Sequence, residues 1–134
     1  MSVVHRVLAI DDDASVRVLL ESLLTLEGYA VDTAADGPAG LRQLAADPPD
    51  CVVLDVMMPG MDGYSVLAEI RSRQRGRHVP VIMLTAADDD RNAWRAWQGG
   101  VDCFLAKPFE IAELLRQVRH LCTHPAPEVA HTSA

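Results

Sequence analysis

Short apolar runs alternate with amphipathic segments five times along this chain, and that alternation restricts the fold more than any single motif. The runs are VHRVLAI (Val4–Ile10), YAVDTA (Tyr29–Ala34), CVVLD (Cys51–Asp55), VPVIMLTA (Val79–Ala86) and VDCFLAKP (Val101–Pro108). Each has the length of a strand, and CVVLD is apolar up to its last residue, as suits a strand covered on both faces. The intervening segments have helical period. In Ala14–Gly28 the residues Val16, Leu19, Leu20, Leu23 and Leu24 fall at helical spacing. Asp13 is placed to cap that helix and Gly28 to end it. DGPAGLRQLAAD (Asp36–Asp47) carries Pro38 in its first turn, where proline is tolerated. Helices are also expected from Gly63 to Arg73, over Asp88–Gly100 and over Glu110–Cys122. In the Asp88–Gly100 helix, acidic residues sit at the positive end. Five β-α units in succession imply a parallel sheet with helices on both faces. In such sheets the ligand site lies beyond the carboxyl ends of the strands.

The strand ends are where the sequence becomes specific. Strand one runs into Asp11, Asp12 and Asp13; strand three ends in Asp55; strand four ends at Thr85; strand five ends in Lys107-Pro108. An aspartate after a strand is commonly a cap or a turn residue, and Asp13 is read that way. The joint pattern is different, because the fold would bring carboxylates, a hydroxyl and an ammonium to one edge. Crowded carboxylates repel, and a cation relieves the repulsion. Hard oxygen donors without cysteine or clustered histidine favour Mg²⁺, or Mn²⁺, over Zn²⁺. A carboxylate beside a divalent ion, a lysine and a hydroxyl is equipped to accept a phosphoryl group. Asp55 is the expected nucleophile, Asp11 and Asp12 the expected ligands, and Lys107 and Thr85 the expected stabilisers of the transferring group.

Composition narrows the alternatives. With 134 residues, 19 acidic against 12 basic and a net charge of −7, the chain has the size of one domain and lacks the overall basic character of a nucleic-acid binder. Arg71, Arg73, Arg75 and Arg77 alternate with small polar residues and are read as a solvated loop. No apolar run is long enough to span a membrane and no signal peptide is visible, so a cytoplasmic location is expected. Cys51, Cys103 and Cys122 have no metal spacing and are read as reduced thiols. A phosphohydrolase with an aspartyl-phosphate intermediate would want a second aspartate two residues after the nucleophile, where Met57 stands. A flavin-type phosphate site would want a Ser/Thr/Gly loop after strand one, where DDD stands.

The segments VLAIDDD, PPDCVVLDVMMPGMDGYSVLAEIR, VPVIMLTAADDD and GGVDCFLAKPFEIAELL together resemble the receiver domain of bacterial two-component response regulators, the chemotaxis-regulator-like family. The resemblance runs from about Val4 to Cys122. It implies an α/β fold, a doubly wound five-stranded parallel sheet of order 2-1-3-4-5 with flavodoxin-like (βα)5 topology, two helices on one face and three on the other. Residues 1–122 would form the receiver domain. Residues 123–134, with two prolines and no periodicity, would be a disordered tail or the start of a linker.

Carried over position by position, the resemblance makes Asp55 the phosphoacceptor and Asp12 the direct acidic ligand of Mg²⁺. Asp11 would act through water, and the Met57 backbone carbonyl would be a third ligand. Thr85 becomes the switch hydroxyl and Phe104 the switch aromatic, in place of a tyrosine. The Lys107-Pro108 bond is expected to be cis. A histidine kinase or histidine phosphotransfer protein would donate the phosphoryl group. The surface of the fourth helix, fifth strand and fifth helix would then change toward a partner protein, a C-terminal effector domain or a second phosphorylated chain. Such a protein is a phosphoryl acceptor and switch, not a turnover enzyme. Met57 and Ala87, two residues past Asp55 and Thr85, cannot orient an attacking water, so slow autodephosphorylation is expected. Trp94 and Trp97 on the fourth helix are a candidate partner surface.

Overall fold

The structure is a computed structural model and describes residues 3–73, 78–86 and 98–123. Five strands, β1 (Arg6–Ile10), β2 (Ala30–Ala34), β3 (Cys51–Asp55), β4 (Val81–Ala86) and β5 (Cys103–Lys107), form one parallel sheet of order β2-β1-β3-β4-β5. Four helices are described: α1 (Ala14–Leu26), α2 (Gly37–Ala46), α3 (Gly63–Ser72) and α4 (Ile111–Thr123). The last of these is the helix expected at Glu110–Cys122. The helix expected at 88–100 falls almost entirely outside the described residues, as do Ala87, Trp94, Trp97, Arg75, Arg77 and residues 124–134.

Side-chain alternation along each strand divides the core in two. Val7, Ala9, Cys51, Val53, Ile82 and Leu84 pack on one face against Leu20 and Leu24 of α1 and Leu114 and Val118 of α4. Leu8, Ile10, Val52, Leu54, Val81 and Met83 pack on the other face against Leu41 and Leu44 of α2 and Val66, Leu67 and Ile70 of α3. All five residues of β3 are buried, which is why its sequence shows no polar alternation.

Local signals set the helix ends. The Asp13 carboxylate accepts from the Ser15 N–H at 2.8 Å, and Asp36 and Asp62 cap α2 and α3 in the same manner. At the end of α1, Gly28 has φ +95°. The Tyr29 N–H donates to the Leu24 carbonyl and the Gly28 N–H to that of Thr25, the paired bonds of a Schellman ending. Arg71 departs from the solvated loop expected of the basic run. Arg71 lies in α3 and donates from Nε to the Gly100 carbonyl at 3.0 Å and from Nη1 to the Val79 carbonyl at 2.6 Å, and pairs with Asp102 at 3.0 Å. Asp102 in turn accepts from the Val81 N–H at 2.8 Å. The guanidinium thus ties α3 to the entries of β4 and β5, at the sheet edge opposite the strand ends that carry the carboxylates.

Candidate functional site

Strand register decides which side chains meet at the carboxyl edge. Asp55 pairs with Leu84, and Lys107 lies two residues beyond Leu105, the partner of Leu84. Leu84 and Leu105 belong to the α1/α4 side of the sheet, so Asp55 and Lys107 project to that side. Asp11 follows Ile10 and stands in phase with Val7 and Ala9 on the same side. Thr85 and Phe104 are in phase with Met83, whose side chain faces α2 and α3. Period two alone therefore gathers Asp11, Asp55 and Lys107, and sets Thr85 and Phe104 together on the other face.

The side-chain contacts agree. Lys107 Nζ lies 3.1 Å from Asp11 Oδ2 and 3.1 Å from Asp55 Oδ1. Both carboxylates are almost inaccessible, Asp11 at 1% and Asp55 at 3% exposure, whereas Asp12 is exposed. Buried charges of like sign are costly, and burial together with the Asp11 charge raises the Asp55 pKa to about 6. Hydrogen bonding and charge from Lys107, and the Met57 N–H at 3.3 Å from Asp55 Oδ1, pull the other way and are outweighed. For Lys107 burial alone would favour the neutral amine. The bonds and charges of Asp55 and Asp11 overcome it and raise the pKa. The Lys107-Pro108 bond is cis, as the family resemblance implies.

The donor set fits a hard divalent cation. One oxygen from each of Asp11, Asp12 and Asp55 lies within 4.8 Å of the others. These carboxylates are thus close enough together to share one hard cation. Met57 is exposed, with its side chain turned away from the core, and the turn it begins contains Gly60 at φ +81°.

Thr85 donates from its hydroxyl to the Ala86 carbonyl at 2.8 Å, and Phe104 is partly buried against the α2/α3 core. Two contributors to the edge escaped sequence reading. Arg17, one turn into α1, donates from Nη1 to the Asp11 carbonyl at 2.7 Å. Gly63 starts α3 so close to β3 that an added Cβ would lie 2.5 Å from the Asp55 carbonyl oxygen. No sequence motif marks the first, whose partner is a backbone carbonyl. The second shows only in three dimensions.

Strand order, crossover pattern and an acidic pocket beside a lysine define an α/β domain of the flavodoxin-like receiver type. The chain belongs to the response regulator receiver domain family, whose description matches residues 7–119. It is 44% identical over 117 residues to the response regulator PleD of Caulobacter vibrioides, covering 87% of this chain and 26% of PleD. It is 41% identical over 128 residues to the response regulator MprA of Mycobacterium leprae, covering 96% of this chain and 55% of MprA. The chain thus spans about a quarter and about half of these curated relatives. Among solved structures, the receiver domain of the sensor histidine kinase PA1611 from Pseudomonas aeruginosa superposes with a TM-score of 0.82 at 33% identity, over 90% of this chain and 99% of that one. That receiver domain has a magnesium ion coordinated in its active-site cleft. No helix among the described residues is long and apolar enough to cross a membrane.

Proposed function

We propose that this receiver domain accepts a phosphoryl group on Asp55 from the phosphohistidine of a histidine kinase or phosphotransfer protein, and that the change is read by a partner protein or an effector domain. The observation that carries the reading is the buried Asp55 carboxylate, 3.1 Å from Lys107 Nζ and clustered with Asp11 and Asp12. An Asp55 carboxylate oxygen attacks phosphorus, the new O–P bond forms as the N–P bond to histidine breaks, and the electron pair leaves on the imidazole nitrogen. Lys107 offsets the negative charge gathered on the phosphoryl oxygens, and its pairing with Asp11 and Asp55 holds the ammonium at that place. Asp11, Asp12 and Asp55, with the Met57 carbonyl, are the residues that would hold Mg²⁺, or Mn²⁺. The ion supplies further neutralisation of the transferring group.

Thr85 is positioned on β4, next to the strand that ends in Asp55, with Phe104 on the same sheet face. A hydroxyl drawn toward the new phosphoryl oxygens vacates space that Phe104 can fill, which carries the local charge change to the surface around β5 and α4. Phe104 brings no hydroxyl to that surface, so its contribution there is shape. The bond formed is made once per chain, and Met57 supplies no group to assist its hydrolysis. This supports an acceptor and switch over a turnover enzyme.

The test is phosphotransfer profiling against purified histidine kinases, and against a small acyl phosphate with Mg²⁺, with Asp55→Asn as control. One phosphoryl group per chain on the wild type and none on the variant is expected. A wild type that accepts none from any donor would sink the proposal.

A further inference from the structure

The turn from β1 to α1 carries two of the three clustered carboxylates, and a side chain outside the cluster holds it. Asp11 is bonded at every polar group. Its N–H donates to the Ala34 carbonyl at 3.1 Å, Oδ1 accepts from the Asp13 N–H at 2.9 Å, and Oδ2 accepts from Lys107 Nζ at 3.1 Å. Its carbonyl accepts from Arg17 Nη1 at 2.7 Å. Arg17 is half-buried, and its own N–H donates to the Asp13 carbonyl at 3.0 Å. The guanidinium thus folds back over the turn from which its helix starts.

Asp12 is in the opposite condition. It is exposed, and no side-chain hydrogen bond anchors its carboxylate among the described residues. The backbone from which that carboxylate leaves the chain follows directly on the peptide plane between Asp11 and Asp12. The oxygen of that plane is the atom Arg17 holds. A charge-assisted bond to a carbonyl is among the stronger single contacts available to a turn.

We infer that Arg17 is a positioning residue for divalent-cation binding. It fixes the Asp11–Asp12 peptide plane, and through it the approach of the Asp12 carboxylate. This rests on the metal-dependent reading of the site proposed above. Arg17 touches no reacting atom, so its effect falls on affinity for the ion and not on the chemical step.

The experiment is calorimetric titration of Mg²⁺ into wild type, Arg17→Lys, Arg17→Gln and Arg17→Ala, with thermal unfolding of each in chelator. In Arg17→Ala the Kd for Mg²⁺ is expected to rise about tenfold, the worth of one charged hydrogen bond. Arg17→Lys, which keeps a cation and a donor, should stay within about threefold of wild type, with Arg17→Gln between the two. Phosphorylation of Asp55 by a small acyl phosphate should need more Mg²⁺ in Arg17→Ala and reach the wild-type maximal rate at saturation. A merely structural anchor would lower the unfolding temperature and leave the Mg²⁺ affinity of the folded variant unchanged, and that result would overturn the inference. A maximal rate that saturating Mg²⁺ fails to restore would overturn it too. Should Arg17→Ala not fold, the order of Lys and Gln variants decides: equal affinities for both and for wild type refute a role in positioning. Wild-type protein that neither binds Mg²⁺ nor accepts a phosphoryl group would defeat the proposed function itself. Normal wild-type behaviour with unchanged variants defeats only the role of Arg17.

Discussion

The raised pKa of Asp55 makes a quantitative claim about stability. Its ordinary value is 3.8 and its folded value about 6, so the folded chain binds this proton more tightly than the unfolded chain. The group therefore costs nothing below the ordinary value. The cost grows as pH rises from 3.8 through about 6 and is complete above that window. At about 1.4 kcal/mol per pKa unit, ionising Asp55 in the folded state destabilises it by about 3 kcal/mol. The carboxylate is only 4% exposed, so solvent screening removes little of this. Asp55→Asn keeps the shape and removes the charge. In chelator at mildly alkaline pH it should be more stable than wild type by up to about 3 kcal/mol. An unfolding entropy near 2.1 cal/mol/K per residue turns this into a gain of about 10 °C in Tm. Near the ordinary carboxylate pKa the two proteins should melt together, and Mg²⁺ should narrow the alkaline gap by stabilising the wild type alone. Scanning calorimetry across that pH range, with and without Mg²⁺, reads all three arms. A variant that melts at or below the wild type in alkaline chelator would refute the reasoning. It would mean that the Lys107 pairing outweighs burial and the charge of Asp11.

Three further outcomes follow from the same edge. Lys107→Met removes the cation that lowers the Asp55 pKa, so that pKa should move above about 6; a carboxyl-carbon NMR titration reads the shift, and a downward move would contradict the assigned pairing. Gly63→Ala places a Cβ 2.5 Å from the Asp55 carbonyl and 2.7 Å from the Val56 Cα; backbone cannot yield as a side-chain tip does, and a loss of about 1–3 kcal/mol is expected in urea unfolding. Met57 is 67% exposed, so Met57→Asn should fold normally while adding a group able to orient water. Its phosphorylated form should lose phosphate at least about tenfold faster than wild type, and wild-type loss within seconds would refute the argument from Met57.

The sheet was legible because its hydrophobic pattern is redundant. CVVLD, apolar on both faces, admits few positions other than a central one, and β3 lies between β1 and β4. The convergence of Asp11, Asp55 and Lys107 was legible for a related reason. Residues that end strands of one parallel sheet must meet at one edge, whatever their separation along the chain. Arg71 was misread because spacing among polar neighbours says nothing of what a long side chain reaches, and this one spans back to Val79 and Gly100. Arg17 and Gly63 were missed because their partners are backbone carbonyls, which every residue possesses and no motif announces.

Burial also decides where a change at Asp55 can be expressed. β3 is buried at all five positions, and β4 is buried through Leu84 but not at Thr85 and Ala86. No residue of β5 is fully buried. Shifting β3 would open contacts on both faces of the core at once, at a cost of several kcal/mol for even one displaced large side chain. The ends of β4 and β5 are less deeply buried, and Lys107 ties β5 directly to the Asp55 carboxylate. Under the proposed function, a bulkier, more highly charged phosphoryl group on Asp55 would change the demand on that ammonium and on the Thr85 hydroxyl. Strain introduced at the buried centre would then be relieved at the less buried edge. The asymmetry of burial across the sheet would give the proposed response its direction.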